Sequence, residues 1–246
     1  MDTHTRFDTM TTDSLRKALR NLSPATLAVE IVEIDSCAPL FPVEEEIIRH
    51  AIPDRRIEFA AGRAAARGAL ASFGLTAVPI GRADDRRPLW PEGFTGSISH
   101  TGRYAAAVVG RQDEVASLGL DIEGDAPLER ELWRLILREE EILDASVCPR
   151  VSGSPLCKVT FVAKEALFKA VYPITRTPFG FRDARVAIGA DGSWRASLLG
   201  TAPALPKGFT LCRGRWARTA GMVLALICVE YAGQENKEDS RRLNLP

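Results

Sequence analysis

Residues 158–172 (Lys-Val-Thr-Phe-Val-Ala-Lys-Glu-Ala-Leu-Phe-Lys-Ala-Val-Tyr) read as a helix that is apolar almost all round. Phe161, Val162, Ala163, Ala166, Leu167, Phe168, Ala170, Val171 and Tyr172 cover most of its surface. A helix of that kind has to be buried, so the fold must wrap other elements around it. At about 100° per residue, Glu165 and Lys169 share one narrow stripe, with Lys164 to one side. An i, i+4 ion pair stabilises a helix by only about 0.2–0.5 kcal/mol. Burying a carboxylate without compensation costs several kcal/mol. The charged stripe is therefore expected to face a cleft. A metal or substrate as third partner is favoured over a plain Glu–Lys pair on a half-exposed helix.

The rest of the chain supplies the surroundings. Residues 27–34 read as a strand, 43–50 and 53–73 as helices, and 96–100 with 104–109 as a hairpin. A strand over 115–123 and a helix over 128–143 precede the buried helix, which Pro173 is expected to close. Weaker strands follow near 184–188, 194–199, 209–216 and 221–231. Each half reads as strand, helices and strands. The expected fold is α+β: two similar lobes in one chain, related by a pseudo-twofold, with the active site in the cleft between them. The boundaries expected are an N-terminal arm over 1–22, partly disordered and ending in a short helix; lobes over 23–114 and 115–232; and a disordered tail over 233–246.

Bulk properties exclude several classes. Of 246 residues, 46% are hydrophobic and 26% charged, which is ordinary globular composition, and the formal net charge is zero. No global field draws the chain to nucleic acid or an anionic membrane. No apolar run reaches the roughly 20 residues a spanning helix needs. Five cysteines without a C-x-x-C suggest neither a disulfide framework nor zinc, and suit a reducing cytosol. There are 26 arginines and only 6 lysines. The excess reads as coding-sequence base composition, yet Lys164 and Lys169 flank Glu165, where a compact point charge is useful.

Gly119-Leu120-Asp121-Ile122-Glu123 places Asp121 and Glu123 on one face of a strand and Leu118, Leu120 and Ile122 on the other. Taken alone, Asp-x-Glu is an ordinary exposed strand end. With Glu165 it offers three oxygen ligands, which suit Mg²⁺ or Mn²⁺ better than zinc, and Mg²⁺ usually shares a substrate phosphate. Arg56, Arg63 and Arg67 fall on one helix face, which by itself reads as solvated. Together, Arg55, Arg63, Arg82, Arg86 and Arg87 make a local basic lobe near His100. A local patch on a neutral chain suits a small polyanion.

Four segments, taken in order, resemble the 4′-phosphopantetheinyl transferases. They are Arg55–Arg67, Pro88–His100 (Pro-Leu-Trp-Pro-Glu-Gly-Phe-Thr-Gly-Ser-Ile-Ser-His), Gly119–Glu123 and Phe161–Ala170. The resemblance covers about residues 27–230 and is greatest to the two-lobed surfactin and enterobactin synthase component D type, in its actinobacterial branch. Gly180-Phe181 and Gly214-Arg215-Trp216 also resemble that branch.

The resemblance implies transfer of 4′-phosphopantetheine from coenzyme A to a serine of an apo carrier protein, in polyketide, nonribosomal peptide or siderophore synthesis. It implies Mg²⁺, with Mn²⁺ as substitute, held by Asp121, Glu123 and Glu165 against the coenzyme A pyrophosphate. Lys169 would contact that pyrophosphate and serve the departing adenosine 3′,5′-bisphosphate. Lys164 would sit beside the phosphates. His100, Arg55 and Arg63 would hold the 3′-phosphate end, and Ser99, Arg82 and Arg87 would border the nucleotide. Glu165, directly or through a water, is the candidate base. Arg86 stands where the family often has glycine, which puts backbone approach to the base in doubt. The implied partners are coenzyme A and carrier proteins, with no nucleic acid; a monomer in the cytosol suffices. The alternative is a noncatalytic module that binds coenzyme A or a carrier.

Overall fold

The computed structural model describes residues 3–34 and 39–233, with side chains from residue 11 onward. In chain order the elements are α1 (Thr3–Leu22), β1 (Ala28–Glu33), α2 (Pro42–Ile48), α3 (Pro53–Ala71), β2 (Gly81–Arg82), β3 (Pro88–Leu89), β4 (Phe94–His100), β5 (Tyr104–Arg111) and β6 (Ser117–Gly124). Then come α4 (Arg130–Ile136), α5 (Glu139–Val147), β7 (Arg150–Val151), β8 (Ser154–Pro155), α6 (Leu156–Thr175), β9 (Ala184–Ile188), β10 (Ser193–Leu198), β11 (Phe209–Leu211), β12 (Gly214–Thr219) and β13 (Met222–Tyr231).

The mixed α and β architecture repeats one plan twice. In the first lobe β1 is followed by α2 and α3, and the last strand, β5, returns antiparallel to β1 in a sheet ordered β1-β5-β4. In the second, β6 is followed by three helices, and the last strand, β13, returns antiparallel to β6. A buried glutamate marks the same point in both. Glu44 sits three residues after the N-cap of α2, accepts from the backbone N–H of Phe41 and Ile80, and is held by Arg67. Glu141 sits three residues after the N-cap of α5, accepts from the N–H of Arg138 and Val186, and is held by Lys164. Each carboxylate closes a capping turn, anchors the next segment and neutralises a cation of the lobe's long helix, so neither is left as an unpaired buried charge.

Four expectations change. α1 runs from Thr3 as one continuous helix, not a loose arm with a short helix. Its Leu15, Leu19 and Leu22 are buried with Ile31 and Val29 of the first lobe and Leu120, Ile122 and Leu224 of the second, so the helix covers the seam between the lobes. The expected helix over 128–143 is two helices, because Leu137 turns extended and is fully buried, which frees the Arg138 N–H for the Glu141 carboxylate. α6 carries Pro173 inside it and ends at Arg176, a left-handed cap. Finally, the arginine face of α3 is not solvated, since Arg63 and Arg67 both turn onto buried acceptors. Of the expected disordered tail, residues 234–246 lie outside the described residues.

Candidate active site

The site forms where α6 crosses β6 at the junction of the lobes. Gly119 makes the crossing possible: a Cβ there would lie 1.8 Å from the Ala166 carbonyl oxygen and 2.8 Å from the Ala170 nitrogen. No other residue admits that approach. The side of β6 away from β13 meets β4, whose serines take the place of a neighbouring strand's carbonyls. Ser97 Oγ accepts from the Leu120 N–H (3.0 Å) and Ser99 Oγ from the Ile122 N–H (3.3 Å). The Gly-Ser-Ile-Ser-His segment is therefore a joint between lobes, and it fixes His100 beside the carboxylate strand.

Asp121 is buried, 4% exposed. Its Oδ1 accepts from Ser99 Oγ (2.7 Å) and Lys169 Nζ (2.7 Å), and Lys169 also reaches Ser99 Oγ and the Leu120 carbonyl. Its Oδ2 is buried with no hydrogen-bond partner. Burial and then the Asp121 charge raise the Glu165 carboxyl above the ordinary 4.5, with Glu123 adding to the rise and Lys169 opposing it. Burial and then Asp121 likewise raise Glu123. The three carboxylates thus feel one another's charge. Among the described residues no three acidic, histidine or cysteine side chains are drawn together tightly enough to enclose a metal ion. The site is assembled but not closed. A buried oxygen that costs about 1–3 kcal/mol unpaired, beside two carboxylates that resist ionising, fits a hard divalent cation.

At the other side, Arg55 Nη1 lies 2.7 Å from His100 Nε2 and 3.1 Å from Glu58 Oε2. An always-protonated guanidinium donates, so His100 Nε2 accepts and its proton rests on Nδ1, facing Glu58 Oε2 at 3.9 Å. Burial lowers the histidine below its usual 6.5, with Arg55 and Lys169 adding to this against Glu58 and Asp121. His100 is neutral at neutral pH.

Between the lobes opens a cleft of about 660 Å³, lined by the 85–98 segment and by Phe168, Lys169 and Tyr172 of α6. Arg82 is exposed near its rim on β2, and Arg87 lines it with its Nε 3.1 Å from Asp85 Oδ2. Asp85 also accepts from Arg176 Nη1 (3.1 Å) and Tyr172 OH (3.4 Å) of the other lobe, a cross-cleft contact absent from the sequence reading. Arg86 adopts φ 71°, the left-handed region that glycine enters without the roughly 1–2 kcal/mol cost borne by other residues. A second pocket, about 260 Å³, opens beside Glu165 between Phe168, Phe179, Gly180 and Phe181.

Two expected ligand contacts are corrected. Lys164 does not sit beside the phosphates: it is 2% exposed, and its three protons go to Glu141 Oε2 (2.6 Å), the Ile136 carbonyl (2.9 Å) and the Phe181 carbonyl (2.8 Å). Arg63 does not reach the cleft as a ligand group. It is 6% exposed, stacks on Phe59, and donates to the carbonyls of Ile80 and Gly81, bracing the strand that carries Arg82. Burial lowers its guanidinium to about 10, so it stays charged at neutral pH. Asp121, Glu123, Glu165, Lys169, Ser99, His100 and Arg55 are brought together; Arg87 lines the cleft, and Arg82 stays outside its lining, exposed on β2 opposite Pro88.

Comparison with known proteins gives one answer. Residues 43–110 match the model of the 4′-phosphopantetheinyl transferase N-terminal domain, and residues 117–216 that of the 4′-phosphopantetheinyl transferase superfamily. The chain is 36% identical over 218 residues to 4′-phosphopantetheinyl transferase PptT of Mycobacterium tuberculosis, covering 83% of this chain and 94% of that one. It is 34% identical over 224 residues to 4′-phosphopantetheinyl transferase Svp of Streptomyces mobaraensis, covering 84% and 90%. It is 40% identical over 144 residues to enterobactin synthase component D of Salmonella typhimurium, covering 56% and 57%.

Proposed function

Because this chain belongs to the 4′-phosphopantetheinyl transferase superfamily, we propose that its inter-lobe cleft binds coenzyme A and that the residues gathered on β6 and α6 move the phosphopantetheine group to a carrier-protein serine. The protein is a transferase; the relative named enterobactin synthase component D supports a siderophore synthase as client, and synthases of polyketides and nonribosomal peptides are the other clients of this reading. The observation that carries the site assignment is the unpartnered, buried Oδ2 of Asp121, on a side chain whose charge, after burial, raises the Glu123 and Glu165 carboxyls above their ordinary value.

In this reading Asp121, Glu123 and Glu165 hold Mg²⁺, with Mn²⁺ as substitute. The cation, when bound, neutralises charge on the pyrophosphate oxygens. Every other task falls to side chains. Lys169, fixed by Ser99 and Asp121, presents an ammonium to the pyrophosphate and can protonate the departing adenosine 3′,5′-bisphosphate. Arg55 receives the phosphate end with neutral His100 behind it: the histidine's Nε2 accepts from the guanidinium and orients it, and the guanidinium's remaining N–H groups serve the phosphate oxygens. The 85–88 segment borders the base, and the aromatic pocket beside Glu165 accepts the uncharged pantetheine arm. The carrier serine attacks the β-phosphorus. Its proton passes to Glu165, directly or through a water; a carboxyl with raised proton affinity is the better base. One chain holds both lobes, so the reading carries action as a monomer, in the cytosol.

Incubation with coenzyme A, Mg²⁺ and several apo carriers, followed by weighing the carriers, should show one phosphopantetheine adduct. Glu165→Gln should lose transfer by at least about 100-fold, as expected for a general base, while melting as the parent does. An unchanged rate in that variant removes Glu165 from the assignment. Coenzyme A binding with no transfer to any carrier would instead favour a noncatalytic binding module.

A further inference from the structure

The site has two ends, and the cations Lys169 and Arg55 stand at one of them: Lys169 reaches Leu120 and Asp121, and Arg55 donates to the neutral His100. Ala116, just before β6, lines the cleft with Phe168, Tyr172 and Pro173, and Gly119 lies at Ala166 and Ala170, so later residues of β6 are directed toward the start of α6. A strand advances about 3.3 Å per residue and a helix about 1.5 Å. The four steps from Gly119 to Glu123 therefore span about nine helical residues, which brings Glu123 level with the turn holding Lys158 and Phe161.

Lys158 is seven residues before Glu165, two turns along the same face. It is half-buried, and its Nζ rests 5.3 Å from the Phe161 ring centroid. That ring is held in turn by Phe181 at 5.8 Å. Among the described residues Lys158 has a ring beneath it and no carboxylate within ion-pair distance. A half-buried cation seated on an aromatic face is held in place with its outward side available.

In phosphoryl transfer the attacking and leaving oxygens lie roughly in line, on opposite sides of the phosphorus. With the leaving nucleotide at the Lys169 end, the nucleophile has to arrive from the Glu123 end. We propose that Lys158 is a recognition residue for the acceptor: it pairs with an acidic side chain close to the carrier serine and so aims the hydroxyl at the phosphorus, without contributing to coenzyme A binding. The inference rests on the transferase reading above and adds to it which side chain reads the protein substrate.

Steady-state transfer with the parent protein, Lys158→Ala, Lys158→Glu and Lys158→Arg tests it, varying coenzyme A and one apo carrier separately at two salt concentrations. The expected result is a carrier KM raised about tenfold in K158A, as for loss of a charged interfacial contact. The rise should be larger in K158E, and K158R should stay near the parent. The KM for coenzyme A should not move, and kcat/KM for the carrier should depend less on salt in K158A than in the parent. Carrier kinetics unchanged in both K158A and K158E overturn the proposal, as does a rise in the coenzyme A KM with the carrier KM unmoved. If the parent itself transfers to none of several carriers, the transferase reading falls and this one with it. Transfer by the parent with unaltered variants sinks Lys158 alone.

Discussion

At the scale of single residues, the instructive contrast is between the two lysines that flank Glu165. Both looked like phosphate ligands, because in an arginine-rich chain they cluster at one carboxylate. Lys169 reaches Asp121 and Ser99 at the junction of the lobes. Lys164 is a structural cation, and its place on the long helix of the second lobe, paired with Glu141, has a counterpart in Arg67 of the first, paired with Glu44. The sequence could not show this, because the deciding partner, Glu141, is 23 residues away and reads locally as one of three consecutive glutamates. Burial lowers the proton affinity of Lys164 and the Glu141 contact restores part of it. Removing the amine leaves Glu141 buried without its cation. Lys164→Ala should therefore cost about 3–5 kcal/mol of stability, the usual result of breaking a buried pair, measured by urea unfolding. Loss of coenzyme A affinity with unfolding stability unchanged would return Lys164 to the phosphates. Arg63 went astray for the same reason, since its acceptors are backbone carbonyls of a segment 17 and 18 residues away. Asp121 and Glu123, by contrast, were legible from two neighbours' alternation alone, because a strand side chain's face is set by its own parity.

Among elements, what pattern alone conveyed best was the buried helix, and what it conveyed least was where helices break. α6 was recognisable because nearly every side chain on it is apolar, and that property demands burial in any fold. The split between α4 and α5 was invisible. Leu137 continues the apolar spacing, and only the long-range demand of Glu141 for the Arg138 N–H makes an extended residue there worthwhile. The crossing of α6 over β6 was equally hidden, since a glycine in a strand ordinarily marks a bulge or weak packing. Here it marks contact with a helix backbone, and it sets the distance between Asp121 and Glu165. Gly119→Ala should push α6 away from β6. Overpacking of this kind costs about 1–3 kcal/mol, and the larger effect should be on catalysis, because the carboxylates stand on both elements. A transfer rate down at least about tenfold in a variant that still melts cooperatively is the expected outcome. A variant as active as the parent would show that the crossing is looser than the geometry indicates.

For the molecule as a whole, the two lobes are clamped from behind by α1 and joined in front by Ser97 and Ser99, and the charge stored at that joint should govern its stability. Glu165 and Glu123 take up protons above the ordinary carboxylate value of 4.5, chiefly through burial and then through Asp121. In the unfolded chain they ionise near 4.5. Between that value and their raised folded values the native protein binds more protons than the unfolded one, so stability falls as pH rises through the window. The loss is complete above it. A divalent cation held by these carboxylates removes the cause, and binding adds about 1.4 kcal/mol at a tenfold excess over Kd, roughly 3–6 °C for a chain of this length. Melting curves with EDTA and with millimolar Mg²⁺ should therefore diverge at pH 8 and converge as the pH approaches 4.5, where protonated carboxyls no longer attract the ion. His100 acts in the opposite sense. Its lowered proton affinity makes stability fall as pH drops below 6.5, with or without the metal. The EDTA curve should accordingly peak at mildly acidic pH and the Mg²⁺ curve nearer neutrality. An equal Mg²⁺ effect at pH 5 and pH 8 would place the ion away from these carboxylates. No effect at either pH, with transfer still dependent on Mg²⁺, would mean that the ion enters only with coenzyme A.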